Sequence, residues 1–159
     1  MVRRMAMTST KVHVLEREQL IERPLETVFQ FFSEARNLER LTPSWLSFKV
    51  VTPGTIEMRA GALIEYKLSV HGAPLKWISE IESWVENTSF VDRQIKGPYS
   101  LWHHTHEFVD LGGNGTLVRD RVRYSLPFGA LGEVAHVLSV QRDLDNVFAY
   151  RRAAVNREL

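Results

Sequence analysis

The sequence predicts an α+β fold: one antiparallel sheet of about seven strands, in the order β-α-α-β6-α, wrapped around a long C-terminal helix. Three observations carry this. Six segments between residues 46 and 126 read as strands and follow one another through turn signals, which is the rhythm of hairpins. Helical patterns occur only before and after that run, which argues for α+β rather than α/β. The last segment keeps an apolar stripe at helical spacing, and a curved sheet laid over it would bury both amphipathic faces.

Taken in order, Val12 to Ile21 reads as a first strand. Glu22-Arg23-Pro24 then opens a helix, with proline at an early position where its missing N–H is harmless. Val28, Phe29, Phe31 and Phe32 form its buried side. A short second helix is expected from Ala35 to Leu41, stopped by Thr42-Pro43. The six strands are Leu46 to Val51, Gly61 to Val70, Leu75 to Val85, Ser89 to Ile95, Ser100 to Val109 and Thr116 to Leu126. Turns fall at His71-Gly72-Ala73-Pro74, at Gly97-Pro98 and at Gly112-Gly113-Asn114-Gly115. On the third strand of this run Leu75, Trp77, Ile81 and Val85 are expected on one face. After Pro127 a helix is expected from about Gly132 to about Arg157, buried through Val134, Val137, Leu138, Leu144, Phe148 and Val155.

Composition narrows the function. A chain of 159 residues suffices for one domain with a core. The net charge of +1 supplies no general field for nucleic acid or anionic membrane. With no cysteine, disulfides, thiolate catalysis and cysteine-ligated zinc are excluded. No apolar run approaches the ~20 residues that span a bilayer. Residues 1–10 read as a loose leader, since no apolar stretch follows Arg3 and Arg4 as a signal peptide requires. A cytoplasmic location is the expectation, and Asn87-Thr88-Ser89 then matches a glycosylation sequon by accident.

The most informative stretch runs from Phe90 to Phe108. Strand periodicity sets Trp102, His104, His106 and Phe108 on one face, and Phe90, Asp92, Gln94 and Lys96 on a face of the preceding strand. Facing each other, they place two histidines, a carboxylate and an amide among aromatic rings. Such polar groups must be paired with one another, with water or with a ligand. Asp120, on the same face of the last strand as Tyr124, is a second carboxylate within reach. His–X–His spacing also suits a metal, with Asp92 or Asp120 as third ligand, but no metal or other cofactor is expected because no confident third ligand is legible. Tyr66, Trp77, Trp102 and Tyr124 are candidates to line a pocket. Gln141 and Arg151, on the stripe of the last helix, are candidate polar anchors. Arg119, Arg121 and Arg123 form a row on the opposite strand face, read as solvated and paired with acidic neighbours rather than with nucleic acid.

These residues carry a resemblance. Leu41-Thr42-Pro43, Gly61 with Ile64 and Tyr66, Gly72 and Pro74 before Trp77, Gly97-Pro98-Tyr99, the Trp102, His104, His106 and Phe108 alternation, Gly113-Asn114-Gly115-Thr116, and Pro127-Phe128-Gly129-Ala130-Leu131-Gly132 cover nearly the whole chain after residue 10. The pattern resembles the START-like, or SRPBCC, superfamily and its bacterial polyketide-cyclase-like (cyclase/dehydrase-like) subgroup. The resemblance implies a helix-grip fold like that of birch-pollen-allergen-like proteins, in a single START-like domain over residues 11–159. It also implies a cavity between sheet and C-terminal helix for an apolar or aromatic small molecule such as a lipid or polyketide. Within it the ligand-contacting residues are expected to be Tyr66, Trp77, Asp92, Gln94, Trp102, His104, His106, Asp120, Tyr124 and Gln141. Binding without turnover is the leading expectation. The alternative is a cyclase/dehydratase that uses a His/Asp general acid–base pair. Edge strands of such sheets also allow a homodimer.

Overall fold

The structure, a computed structural model, describes residues 10–159; the leader expected at residues 1–10 lies, but for Thr10, outside the described residues. The strands are β1 (His13–Ile21), β2 (Lys49–Val50), β3 (Leu63–Val70), β4 (Ala73–Val85), β5 (Ser89–Lys96), β6 (Leu101–Gly112) and β7 (Gly115–Ser125). The helices are α1 (Leu25–Ser33), α2 (Ala130–Ala135) and α3 (Gln141–Glu158), with a π-helical turn at His136–Val140 joining the last two. All seven strands form one antiparallel sheet in the order β1-β7-β6-β5-β4-β3-β2. The first strand therefore closes onto the last, and β1 pairs β7 without a slip from His13↔Tyr124 to Ile21↔Thr116. No helix among the described residues is long and apolar enough to cross a membrane.

Hairpin chemistry sets the register. His71 and Gly72 both have positive φ (48° and 81°) and join Val70 to Ala73 in a two-residue turn. Gly113 and Asn114 do the same between β6 and β7 (55° and 65°). Turns of this hand match the twist of the strands they connect. Two of the outer arginines pair with acidic residues of β1, Arg119 with Glu18 at 2.8 Å and Arg121 with Glu16 at 3.3 Å.

Helix α1 begins after Pro24 and buries Val28 and Phe29 completely. Phe29 meets Phe108 and Trp84 edge-on, with ring centroids 5.1 and 5.2 Å apart, in a core with Ile21, Leu41, Phe90, Val118 and Val155. Burial of each such side chain stabilises the fold by roughly 1.5–3 kcal/mol. This core fills one end of the sheet and leaves the other end to the cavity.

Four sequence expectations need correction. Leu46 to Val51 is not one strand: Ser44–Leu46 form a 3-10 turn, Ser47 turns left-handed (φ 47°), and only Lys49–Val50 pair. The short helix after α1 is likewise a 3-10 segment, Ala35–Glu39. In β4 a bulge between Ile81 and Ser83 inverts the alternation, so Trp84 packs inward and Val85 is exposed. A second slip, opposite Ile78/Ser79, leaves Ile95 unpaired and Lys96 exposed. A bulge inserts one residue and exchanges the two faces beyond it. The last correction concerns the C-terminal helix. Leu144, Phe148 and Val155 are buried as expected, with Ala154, but the π turn takes more residues per turn, so ahead of them Gly132 and His136 are the buried positions. Val134, Val137 and Leu138 are thereby turned to solvent, 56%, 77% and 72% exposed.

Candidate functional site

Between the remaining sheet surface and α3 lies a cavity of ≈ 300 Å³. Its walls are mostly apolar, from Ile64, Leu68 and Val70 on β3 to Leu144 and Val147 on α3. One wall is aromatic. Trp77 and Trp102 meet edge to face at 5.3 Å, and Tyr99 contacts both at 5.6 and 4.8 Å. The Trp77 indole N–H donates to the buried Ser79 hydroxyl at 2.9 Å, which satisfies its polar end and leaves its apolar face free. At the mouth, His71 in the β3–β4 turn hydrogen-bonds Asp143 at the start of α3, 2.8 Å apart. This contact ties the hairpin to the helix.

At the inner end β5, β6 and β7 bring together Asp92, His104, His106 and Asp120. Register places Asp92 opposite His104 and Asp120 opposite His106. The hydrogen bonds instead run diagonally, His106 Nε2 to Asp92 Oδ2 and His104 Nε2 to Asp120 Oδ1, both at 2.8 Å. His106 Nδ1 also lies 3.0 Å from Asp120 Oδ1 but off the line of a hydrogen bond. The imidazole centroids are 3.7 Å apart, so protonating both rings is costly.

The charges divide accordingly. Burial opposes the Asp120 carboxylate, but the hydrogen bond from His104 and the close approach of His106 outweigh it and hold its carboxyl far below the usual range. Asp92 behaves alike: burial is outweighed by the His106 hydrogen bond and by the fields of His104, His106 and Arg151. Burial also disfavours imidazolium at His106, yet the Asp120 carboxylate 3.0 Å away and the hydrogen bond to Asp92 raise its pKa. His104, penalised by burial and by its neighbour His106, is lowered. The surroundings therefore favour two carboxylates and put a proton on His106 in preference to His104. Tyr66, buried beside it, is raised by burial and by Asp92, and stays a phenol.

Tyr66, Trp77, Asp92, Trp102, His104 and His106 of the sequence-selected residues all reach the cavity wall. Asp120 stands behind the histidines and borders a second, smaller pocket. Three others do not reach the cavity. Gln94 is turned to the loop, where its amide donates to the Tyr99 carbonyl and accepts from the Tyr99 N–H at 2.8 and 3.1 Å. A Cβ at Gly97 would strike that side chain, which is why glycine stands there. The Tyr124 hydroxyl and His136 Nε2 share a hydrogen bond at 2.8 Å, beside the π turn. Gln141 is exposed, because the π turn rotates it away from the sheet. Tyr99 and Ser79 were not selected from the sequence as site residues. The Gly97-Pro98 loop ahead of Tyr99 was a usable signal, whereas nothing local marked Ser79.

Asp92, His104 and His106 present ligand atoms within 4.8 Å of one another, as do His13, Glu133 and His136. In the first trio a cation would compete with the hydrogen bonds above. In the second it would compete with His13 on Glu133 at 3.0 Å and with Tyr124 on His136.

Comparisons with known proteins agree with this architecture. A protein from Thermus thermophilus superposes with a TM-score of 0.71 at 18% identity, over 91% of this chain and 95% of its own. A START superfamily protein from Mycobacterium smegmatis gives 0.67 at 14% identity, over 92% and 96%. The Zhui aromatase/cyclase from Streptomyces gives 0.66 at 12% identity, over 94% and 97%. Likeness at these identities establishes the shared helix-grip fold. No curated protein sequence matches the chain. The profile of one family does match, over residues 21–150, and the chain accordingly belongs to the polyketide cyclase/dehydrase and lipid transport family.

Proposed function

We propose that the chain binds an apolar or aromatic small molecule, such as a lipid or polyketide, in the cavity between sheet and C-terminal helix, without turnover. One observation carries this reading: an apolar space of ≈ 300 Å³, walled by Trp77 and Trp102, ends in a cluster whose carboxylates and imidazoles already pair with one another. Such a space suits an apolar guest with few directional contacts. The reading places one ligand-binding domain over residues 11–159 in the cytoplasm, with a small hydrophobic molecule rather than nucleic acid as partner. The test is uptake of a hydrophobic fluorescent probe. Trp77→Ala removes a tryptophan ring from the wall and is expected to weaken uptake about tenfold or more while the fold survives. Unchanged affinity in a folded variant would overturn this placement of the ligand.

One feature favours a second reading, a cyclase/dehydratase. His104 and His106 both border the cavity, and their surroundings push their pKa values apart, the arrangement of an acid beside a base. Such a pair would enolise a bound ketone. Deuterium exchange into the methyl group of acetylnaphthalene, above the buffer rate and absent in His104→Ala, would support turnover. No exchange above buffer leaves the binder.

A further inference from the structure

Arg151 projects from α3 where two cavities meet. It borders the main cavity and also the second, of ≈ 240 Å³, which Asp120 and Phe148 share. Its guanidinium carbon stands 5.0 Å from the Phe148 ring centroid, and its Nε is buried without a hydrogen-bond partner. The acidic groups around the main cavity are engaged elsewhere: Asp92 and Asp120 on the two histidines, Asp143 on His71, and Glu34 accepting from the Arg36 N–H. A half-buried guanidinium held over an aromatic face, whose terminal N–H groups bond nothing among the described residues, offers those donors to whatever fills the space.

The chemistry of the occupant follows from the charge around it. Asp92 and Asp120 are held as carboxylates, Arg151 is a cation beside them, and the surroundings favour a proton on His106. A carboxylate ligand would add an uncompensated third negative charge in a buried site. A pure hydrocarbon would leave the Arg151 donor unsatisfied, whereas a neutral acceptor oxygen satisfies it and preserves the balance.

Resting on the cavity reading above, we propose that Arg151 is the polar anchor of the site and that its ligand is an uncharged apolar molecule bearing a carbonyl oxygen at one end. The test compares three probes of nearly equal shape, substituted at the same ring position: ethylnaphthalene, acetylnaphthalene and naphthoate. Affinities are measured on the full chain and corrected for partition between water and octanol. The ketone is expected to bind about tenfold or more tighter than the hydrocarbon, as a hydrogen bond to a charged donor provides. Naphthoate is expected to bind more weakly than the ketone. In Arg151→Met the ketone preference disappears while the hydrocarbon still binds. The wild-type series decides by itself if that variant does not fold. Equal binding of ketone and hydrocarbon, or tightest binding of naphthoate, overturns the anchor and leaves the cavity reading standing. Binding of none of the three overturns both.

Discussion

Replacing Asp120 with Asn tests whether the buried cluster is held together by charge. The substitution keeps shape but removes the charge that accepts from His104 at 2.8 Å and faces His106 at 3.0 Å. The Asp120 side chain is only 13% exposed, so solvent does little to screen the loss. Breaking a buried pair by removing one partner costs about 3–5 kcal/mol. The low end applies because His106 can shed its proton, and about 3 kcal/mol in a chain of this size is about 6–12 °C in Tm.

The pH dependence has a definite sign. Asp120 is held below its unfolded value, so its contribution is present above about pH 3.9 and is lost as pH falls towards the folded value. His106 is raised, so its contribution is present below about pH 6.5 and is lost as pH rises through the folded value. The deficit of the variant is therefore largest between those limits and narrows at alkaline pH. Urea denaturation at about pH 5 and about pH 9 measures it. Asp145→Asn serves as control, since its pair with Arg17 joins side chains 40% and 48% exposed, and it is expected to cost about 0–1 kcal/mol. A Tm drop below about 2 °C for Asp120→Asn near pH 5, or a deficit that grows with pH, would refute the charge coupling.

Three further outcomes are expected. Gly132→Ala drives a Cβ into the Pro127 carbonyl and against Leu126, and should destabilise the fold by about 1–3 kcal/mol in chemical denaturation. Val137→Ser with Leu138→Ser should change stability by no more than about 0.5 kcal/mol each, because the π turn leaves both side chains in solvent; a large loss would restore the continuous buried stripe. His71→Ala unties the β3–β4 turn from Asp143 and should speed probe association in stopped-flow fluorescence while Tm stays nearly unchanged, since His71 is largely exposed. An unaltered association rate would show that the ligand does not enter past this contact.

The sequence by itself determined the order of elements, the hairpin turns and the facing of the long strands. Period-two alternation is local, and Gly113-Asn114 or His71-Gly72 adopts its turn largely by its own backbone preference. The shared face of His104 and His106 and the inward direction of Asp92 and Asp120 followed from the same periodicity. What depends on one extra residue was not legible. A bulge in β4 exchanged Trp84 for Val85, and a π turn before α3 moved Gln141, Val137 and Leu138 outward and His136 inward. Nothing local distinguishes these insertions from regular structure, because their cost is repaid by packing against distant partners. Only the tertiary structure decided which carboxylate bonds which imidazole, that Gln94 serves the Tyr99 loop, and that Arg151 keeps an open donor at the boundary of two cavities. Each of these depends on side chains many residues apart meeting in space, and no periodicity along the chain encodes such meetings.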